Sequence, residues 1–442
     1  AVISDYHLPN NHVFHTLLVH LATRLLGNAP AVMRLPAFAG GVLSVAAAYG
    51  LGRIWYNRRA GWLAAGLIAV TPLLVGGSAD GRGYTLLGLF SLFGWVLATY
   101  LKTNPNWTGW LMLSVVGALG FYTVPVMLYP WGAVYLWMFL SLWVEPQISA
   151  AYGGYRRYLL VLFLSGLATG IGVYFLYLPV LLVSGPQSLF SNPFVQPLGW
   201  DVFWPTLWTR LSETWHEWQM DVPALLSGLV MLGVVLEAVF HWRASRQGVP
   251  VLLPVSLWVV FLLIVQRPNA WRKIWLWLLV LLLVLAAAGW VAFLDWLRQR
   301  RGWHPVAAQL LVQGILVALL LLALPWAWQR GSRLAMPGAA ERTADWIAAR
   351  LDGQGAVVAD GMDAPPLWYY LLRAGGEAAW FDKLNQRETI SAAYVVVNAQ
   401  DAQQSLEAII RTTANWRKPL EAQDCRFETE IQPYRIYRCS DP

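Results

Sequence analysis

The feature that most constrains this fold is a run of apolar blocks, each close to the ~20 residues that carry a helix across a hydrocarbon core. Ten such blocks follow one another, at residues 36–56, 61–76, 84–101, 107–123, 124–144, 158–183, 222–241, 249–265, 274–296 and 305–328. The fourth and fifth are nearly continuous and part at Thr123-Val124-Pro125, where proline cannot extend a helix. Such a chain reads as a mostly α polytopic membrane protein. Composition closes the alternatives: of 442 residues, 57% are hydrophobic and 12% charged, against about 25% charged in soluble domains. A soluble globule, a disordered chain and a conventional nucleic-acid binder are excluded for the whole. The 27 tryptophans suit a membrane-water interface.

The net charge of +7 matters less than its placement. One set of connections holds Arg53, Arg58, Arg59, Lys102, Arg156, Arg157, Arg243, Arg246, Arg298, Arg300 and Arg301. The opposite set holds Arg82, Arg210, Arg267, Arg272 and Lys273, with Arg24 and Arg34 before the first block. The richer set is expected in the cytoplasm and the poorer outside, periplasmic in a Gram-negative bacterium. Ala1 and everything after Gln329 then lie outside. An exterior Ala1, with no apolar span before Asp5, leads us to expect one more span upstream.

Two stretches depart from spans and short loops. Residues 12–26 are too short and too polar for a span and read as a surface helix. The exterior segment 184–221 is long and carries Trp200, Trp204 and Trp208 at spacings of four, one face of an interfacial helix. Its Glu213, Glu217 and Asp221 read as a solvated face. The expected organisation is a transmembrane domain over 1–329 and a small exterior α/β domain over 330–442. In that tail, Ala356 to Ala359 and Ala393 to Val397 read as strands, and residues 427–437 as a hairpin turning near Gln432-Pro433. Cys425 and Cys439 flank the hairpin, and an exterior compartment is oxidising, so a disulfide is expected.

Exterior ionisable groups at span ends are the candidate chemistry. The first group is Asn10, Asn11, His12 and His15, suited to hydrogen-bonding a sugar or phosphate; no complete set of metal ligands accompanies these histidines. The second is Asp80-Gly81-Arg82-Gly83-Tyr84, where Arg82 offers a planar fork for phosphate and Asp80 is a base, a metal ligand or a partner for Arg82. The third is Arg267, Arg272 and Lys273, three cations where the positive-inside rule disfavours them, which suits a lipid phosphate. Asp360 and Asp363 in the tail follow a strand and were weaker candidates.

Pro9-Asn10-Asn11-His12-Val13-Phe14-His15-Thr16, Arg34-Leu35-Pro36, Tyr49-Gly50-Leu51-Gly52-Arg53 and Ala79 to Leu86 form an ordered pattern. From Pro9 to about Leu101 it resembles the N-terminal half of bacterial GT-C glycosyltransferases, the family 39 relatives of protein O-mannosyltransferases and of the lipid A aminoarabinose transferase. The resemblance implies transfer of a sugar from a polyprenyl phosphate or pyrophosphate to a lipid, glycan or protein acceptor on the exterior face of the inner membrane. It implies inversion at the anomeric carbon, an acidic general base in the first exterior loop and basic residues holding the leaving phosphate. Arg82 and Tyr84 match by motif; Arg267, Arg272 and Lys273 match by location. No cofactor is required, and a divalent cation (Mg or Mn) is compatible. The chain departs from the pattern in its base: the usual acidic pair is expected upstream of Pro9, where only Asp5 stands, so the base is an upstream pair, Asp5 or Asp80. The alternative reading is a transporter or flippase of a lipid-linked glycan.

Overall fold

A computed structural model describes residues 3–4, 6, 12–191, 196–269, 271–301, 305–335, 338–351, 355–360, 363–381, 392–401, 404–411 and 421–440. Contacts divide the chain into two units, Ala1–Ser332 and Arg333–Pro442.

The first unit is helical. Its helices are α1 (Val13–Leu26), α2 (Pro30–Trp55), α3 (Arg58–Val70), α4 (Pro72–Ala79), α5 (Tyr84–Leu101), α6 (Trp107–Thr123), α7 (Leu128–Val144), α8 (Pro146–Tyr152), α9 (Tyr155–Val183), α10 (Gln187–Phe190), α11 (Trp200–Gln219), α12 (Ala224–Ala244), α13 (Leu252–Gln266), α14 (Leu276–Arg301) and α15 (Pro305–Ala335). Each of the ten expected blocks is helical. Among the described residues, six helical segments are long and apolar enough to cross a membrane, and the α3–α4 pair, bent by 59°, makes a seventh. The break falls at Thr71-Pro72, because proline has no N–H for the preceding turn. The interruption at Pro125 also appears, as a single 3-10 turn between α6 and α7. The first span begins at Pro30 rather than 36. Pro30 fits the first turn of a helix, and Pro36 is accommodated inside it.

Helix α14 runs through the middle of the unit, with Leu276 to Gly289 almost wholly buried. Helices α2 and α3 pack closely: a Cβ on Gly52 would lie 2.9 Å from the Gly61 Cα. Tryptophan is not confined to the interface. Trp55, Trp95, Trp137 and Trp277 are fully buried, and the first three form a cluster with ring centroids 5.4–6.0 Å apart. These rings fill the space between α2, α5 and α7, the larger volume outweighing any interfacial preference.

The two basic sets fall into separate networks. On the richer side, Lys102 Nζ lies 2.7 Å from Glu145 Oε1, over the Trp137 ring, and both side chains are at most 7% exposed. The Gly248 N–H donates to the same carboxylate. Tyr56 Oη donates to Glu237, which also meets His241 Nδ1 at 2.7 Å, and Arg59 pairs with Asp295. Among the described residues, none of these groups is bonded to the cations of the poorer set.

The second unit begins with α16 (Ala339–Ala348) and holds β1 (Ala356–Ala359), α17 (Ala364–Arg373), β2 (Ala392–Asn398), α18 (Leu406–Arg411), β3 (Cys425–Ile431) and β4 (Tyr434–Ser440). The sheet order is β1-β2-β4-β3, with β1 parallel to β2 and the other pairs antiparallel. Val357, Tyr394, Val396 and Ile436 face one layer, with Leu367 and Leu371 of α17 packed there. Cys425 and Cys439 are direct cross-strand partners and form the expected disulfide. Asp363 accepts bonds from Tyr434 Oη (2.8 Å), Gln404 Nε2 (2.9 Å) and Asn398 Nδ2 (3.3 Å). It ties the hairpin to the end of β2, which is a structural use of a carboxylate that the sequence had offered as a site residue.

Candidate functional site

The site is assembled at one end of the first unit by four segments: the start of α1, the α4–α5 turn, the end of α11 and the turn between α13 and α14. His12 caps α1, and its Nδ1 accepts the Gly83 N–H at 2.8 Å. Its ring meets Tyr84 edge-on, centroids 4.8 Å apart. Gly83 has no room for a side chain: a Cβ there would lie 2.6 Å from Thr123 Cγ2 and 2.8 Å from His12 Nδ1. That close approach explains a glycine between Arg82 and Tyr84. His12 is 6% exposed and His15 3%. Burial, with the positive charges of Arg82 and Lys273 nearby, holds the His12 imidazole down at about 3. Burial holds His15 at about 4. Both are therefore neutral at pH 7, and neither adds charge to the site.

The cations differ in how they are engaged. Lys273 Nζ lies 2.7 Å from Asp80 Oδ2, each side chain 40% exposed. Asp80 therefore pairs with Lys273, from the far end of the sequence, and not with its neighbour Arg82. Arg272 meets Glu213 of α11 at 3.3 Å. Arg82 interacts with the Tyr84 hydroxyl, and among the described residues it has no carboxylate partner. Arg267 stands apart from the rest of the cluster. It caps α13 in a left-handed conformation, its guanidinium 4.6 Å above the Trp200 ring, and its carbonyl accepts the Leu198 N–H at 3.0 Å. Its Nε, and the indole N–H groups of Trp218 and Trp271, are buried without an acceptor among the described residues. Asp5, Asn10 and Asn11 lie outside the described residues.

The acidic face of α11 is only in part the solvated face the sequence suggested: the Glu213 side chain is 43% exposed, while Glu217 is half-buried. Glu213 pairs with Arg272, Asp221 just beyond the helix meets Arg330 at 3.1 Å, and Glu217 Oε2 is buried. Arg210 on the same helix donates to the Asn269 carbonyl at 2.9 Å. These three contacts hold α11 across the site. Its Trp200, Trp204 and Trp208 point outward instead, from 46% to 79% exposed. Sequence reading missed Glu213 and Glu217; their i, i+4 spacing, which places both on one helix face, was the available signal.

Two cavities open near this cluster. One, of about 290 Å³, is lined almost wholly by apolar side chains of α3, α12 and α14, with Trp215 and Trp218 of α11 beside it. The other, of about 350 Å³, lies between α2, α4, α5 and α14 and includes Ser44, Ser78, Tyr84 and Thr85. Among the described residues, no three His, Cys, Asp or Glu side chains are grouped to hold a metal ion.

Residues 12–168, about a third of the chain, match the family of dolichyl-phosphate-mannose-protein mannosyltransferases. No curated protein sequence matches. Among solved structures, the chain is similar to ArnT from Cupriavidus metallidurans bound to undecaprenyl phosphate. The TM-score is 0.56 at 13% identity, over 96% of this chain and 87% of that one. It is also similar to the archaeal oligosaccharyltransferase AglB from Archaeoglobus fulgidus, in complex with an inhibitory peptide and a dolichol-phosphate. There the TM-score is 0.52 at 11% identity, over 88% of this chain but only 62% of AglB. The family match runs from the start of α1 into the first half of α9 and includes His12, Asp80, Arg82 and Tyr84, and the ArnT-like fold extends over nearly the whole length. The chain is thus a multi-pass membrane protein with an ArnT-like fold, whose residues 12–168 are similar to that mannosyltransferase family.

Proposed function

We propose that the protein transfers a sugar from a polyprenyl-phosphate or pyrophosphate donor to an acceptor on the exterior face of the bacterial inner membrane. The observation that carries this reading is the convergence of Arg82, Arg272 and Lys273 from distant segments, at the end of the bundle away from the richer basic set. In the positive-inside sense, that end faces out. Cations fixed there stabilise the charge that grows on a leaving phosphate as the glycosidic bond breaks. Arg82, with no carboxylate to displace, binds the phosphate first. Lys273 and Arg272 exchange Asp80 and Glu213 for it. Exposed ion pairs of that kind are worth about 0–1 kcal/mol, less than the ~1.5–3 kcal/mol of a hydrogen bond to a charged group. Asp80 then serves to position Lys273 between turnovers. His12, neutral, orders the Arg82-Gly83-Tyr84 turn through Gly83. Arg267, stacked on Trp200, holds the α11 end of the site and reaches the phosphate of a longer headgroup. The apolar cavity beside Trp215 and Trp218 receives the first isoprene units, and the remainder of the tail lies in the bilayer.

The test is undecaprenyl phosphate binding and sugar transfer by the purified protein in detergent, with and without Arg82→Gln. Loss of one charge-assisted contact predicts about 10- to 150-fold weaker lipid binding. Unchanged binding by the variant would remove Arg82 from the site. A wild type that moves the lipid across a vesicle without transferring sugar would replace this reading with a flippase.

A further inference from the structure

The richer basic set is unevenly spread, and most of it gathers at one corner of the helical unit. Backbone and side-chain contacts assemble that corner. Arg59 at the start of α3 meets Asp295 of α14 at 2.6 Å, Tyr56 donates to Glu237 of α12 at 2.6 Å, and the Arg246 N–H donates to the Trp55 carbonyl at 2.8 Å. Helices α12 and α14 run the same way: Leu229 accepts the Trp290 indole N–H, and further along Phe240 meets Trp296, centroids 5.7 Å apart. Their C-terminal ends therefore emerge together, beside the α2–α3 connection. Arg53, Arg58, Arg243, Arg246, Arg300 and Arg301 are exposed on these ends.

The described residues leave these arginines unneutralised. The carboxylates of this side are already engaged: Glu145 by Lys102, Glu237 by Tyr56 and His241, and Asp295 by Arg59. Among the described residues, no carboxylate meets any of the exposed arginines of the corner. The positive-inside rule asks only for an excess of cations over the whole side. It does not account for their concentration here, since the α5–α6 connection contributes only Lys102, which is paired, and the start of α9 only Arg156 and Arg157. Nor does the helix dipole. It favours arginines at the ends of α12 and α14 but opposes Arg58 at the N-terminus of α3.

Two features name the missing anion. Every exposed cation of the corner is an arginine, whose planar fork engages two phosphate oxygens at once. The corner also lies at the level of exposed indoles: Trp62 stands one turn from Arg58, Trp242 stands next to Arg243, and Arg300 lies 5.2 Å over Trp296. Indole rings prefer the headgroup level, where the abundant anion is a phospholipid phosphate. We propose that the corner formed by the ends of α2, α12 and α14 and the start of α3 binds the headgroup of an anionic phospholipid, in the leaflet opposite the sugar-donor site. Basic pockets between membrane helices take such headgroups. The bound lipid neutralises the arginines and ties together α3, α12 and α14, the helices that line the apolar cavity. This inference does not depend on the transferase reading.

The experiment titrates the full chain in uncharged detergent with phosphatidylglycerol, and with phosphatidylcholine as the neutral control, counting bound lipids by native mass spectrometry. Three double variants are compared with wild type: Arg300→Gln with Arg301→Gln, Arg53→Gln with Arg58→Gln, and Arg156→Gln with Arg157→Gln. The last removes the same charge from the same side but away from the corner. Each arginine at an anionic headgroup is worth about fivefold in affinity, the equivalent of about 1 kcal/mol. Wild type should therefore prefer phosphatidylglycerol, and each corner variant should weaken that binding about 25-fold. The Arg156/Arg157 variant should bind as wild type does. The corner variants lie on different helices, so the test stands if one of them fails to fold. Equal binding of the two lipids by wild type overturns the proposal. So does an Arg156/Arg157 variant that loses as much as the corner variants, which would mean diffuse charge alone. Glycerol phosphate that displaces the lipid at equal concentration also overturns it, in favour of a soluble anion.

Discussion

Lowering the pH from 7 to about 4.5 should destabilise the His12 corner by about 2.7 kcal/mol. The amount follows from a buried imidazole whose proton affinity differs between the folded and unfolded chain. Its ordinary value is 6.5, and in the fold it falls to about 3. Folding thus favours the neutral ring. The stability from this group is fully present above pH 6.5. It is lost as the pH falls, because the unfolded chain takes up a proton that the folded chain refuses until about pH 3. Two pH units below 6.5, at about 1.4 kcal/mol per unit, give the stated figure. No solvent discount applies, since His12 is 6% exposed. The Gly83 N–H donates to Nδ1, so the ring proton sits on Nε2. The assay is a nitrogen-15 and carbon-13 imidazole titration of histidine-labelled protein in detergent micelles, with His12→Asn to assign the signal. Asparagine keeps a side-chain oxygen near the Nδ1 position and does not titrate. The expected result is an Nε2–H tautomer for His12, unchanged from pH 8 to pH 5, and a thermal midpoint that falls less on acidification in His12→Asn than in wild type. A His12 midpoint between 6 and 7 would refute the reasoning, because it would mean that water reaches the ring and that Arg82 and Lys273 lie farther off.

Glu145→Ala should strand Lys102 in a buried site and cost about 3–5 kcal/mol, read as a lower thermal midpoint; the double change Lys102→Met with Glu145→Leu should cost far less. Reducing the Cys425–Cys439 bridge, which closes a separation of 14 residues, should destabilise the tail domain by about 3 kcal/mol, seen as earlier proteolysis after Arg333 and not in the helical unit. Gly83→Ala should push Thr123 and His12 aside and weaken undecaprenyl phosphate binding with that displacement, while Gly81→Ala, which meets no atom within 4 Å, changes only local turn energy. Asp80→Asn should free Lys273 and tighten undecaprenyl phosphate binding by up to about 5-fold, the equivalent of an exposed ion pair of about 1 kcal/mol.

Much of the architecture was legible in the chain because it rests on local rules. Apolar length placed the helices, Pro125 placed the break between α6 and α7, and the spacing of Trp200, Trp204 and Trp208 placed the helix α11; the break at Pro72 went unread inside the block 61–76. Cysteines on either side of a β-rich stretch placed the bridge. Each of these needs only neighbours in sequence. The site was legible only as a list of residue types. Arg82, Lys273 and His12 could be nominated because cations are few in the poorer set of connections and histidines are few in the chain, but their partners could not. Asp80 seemed matched to Arg82, two residues away, yet its partner is 193 residues on. Glu213 and Glu217 looked solvated because an exterior helix rich in charge usually is.

The sequence by itself determined that this is a membrane-spanning helical bundle followed by a small α/β tail, and which connecting stretches carry the charge. Hydrophobic length and charge placement act through the solvent, and they need no knowledge of which segment meets which. Tertiary structure alone decided which carboxylates near the site are paired, and with which cation. That outcome depends on α11 lying across the α4–α5 turn and the turn before α14, and an ion pair forms only where packing brings two charges within about 4 Å.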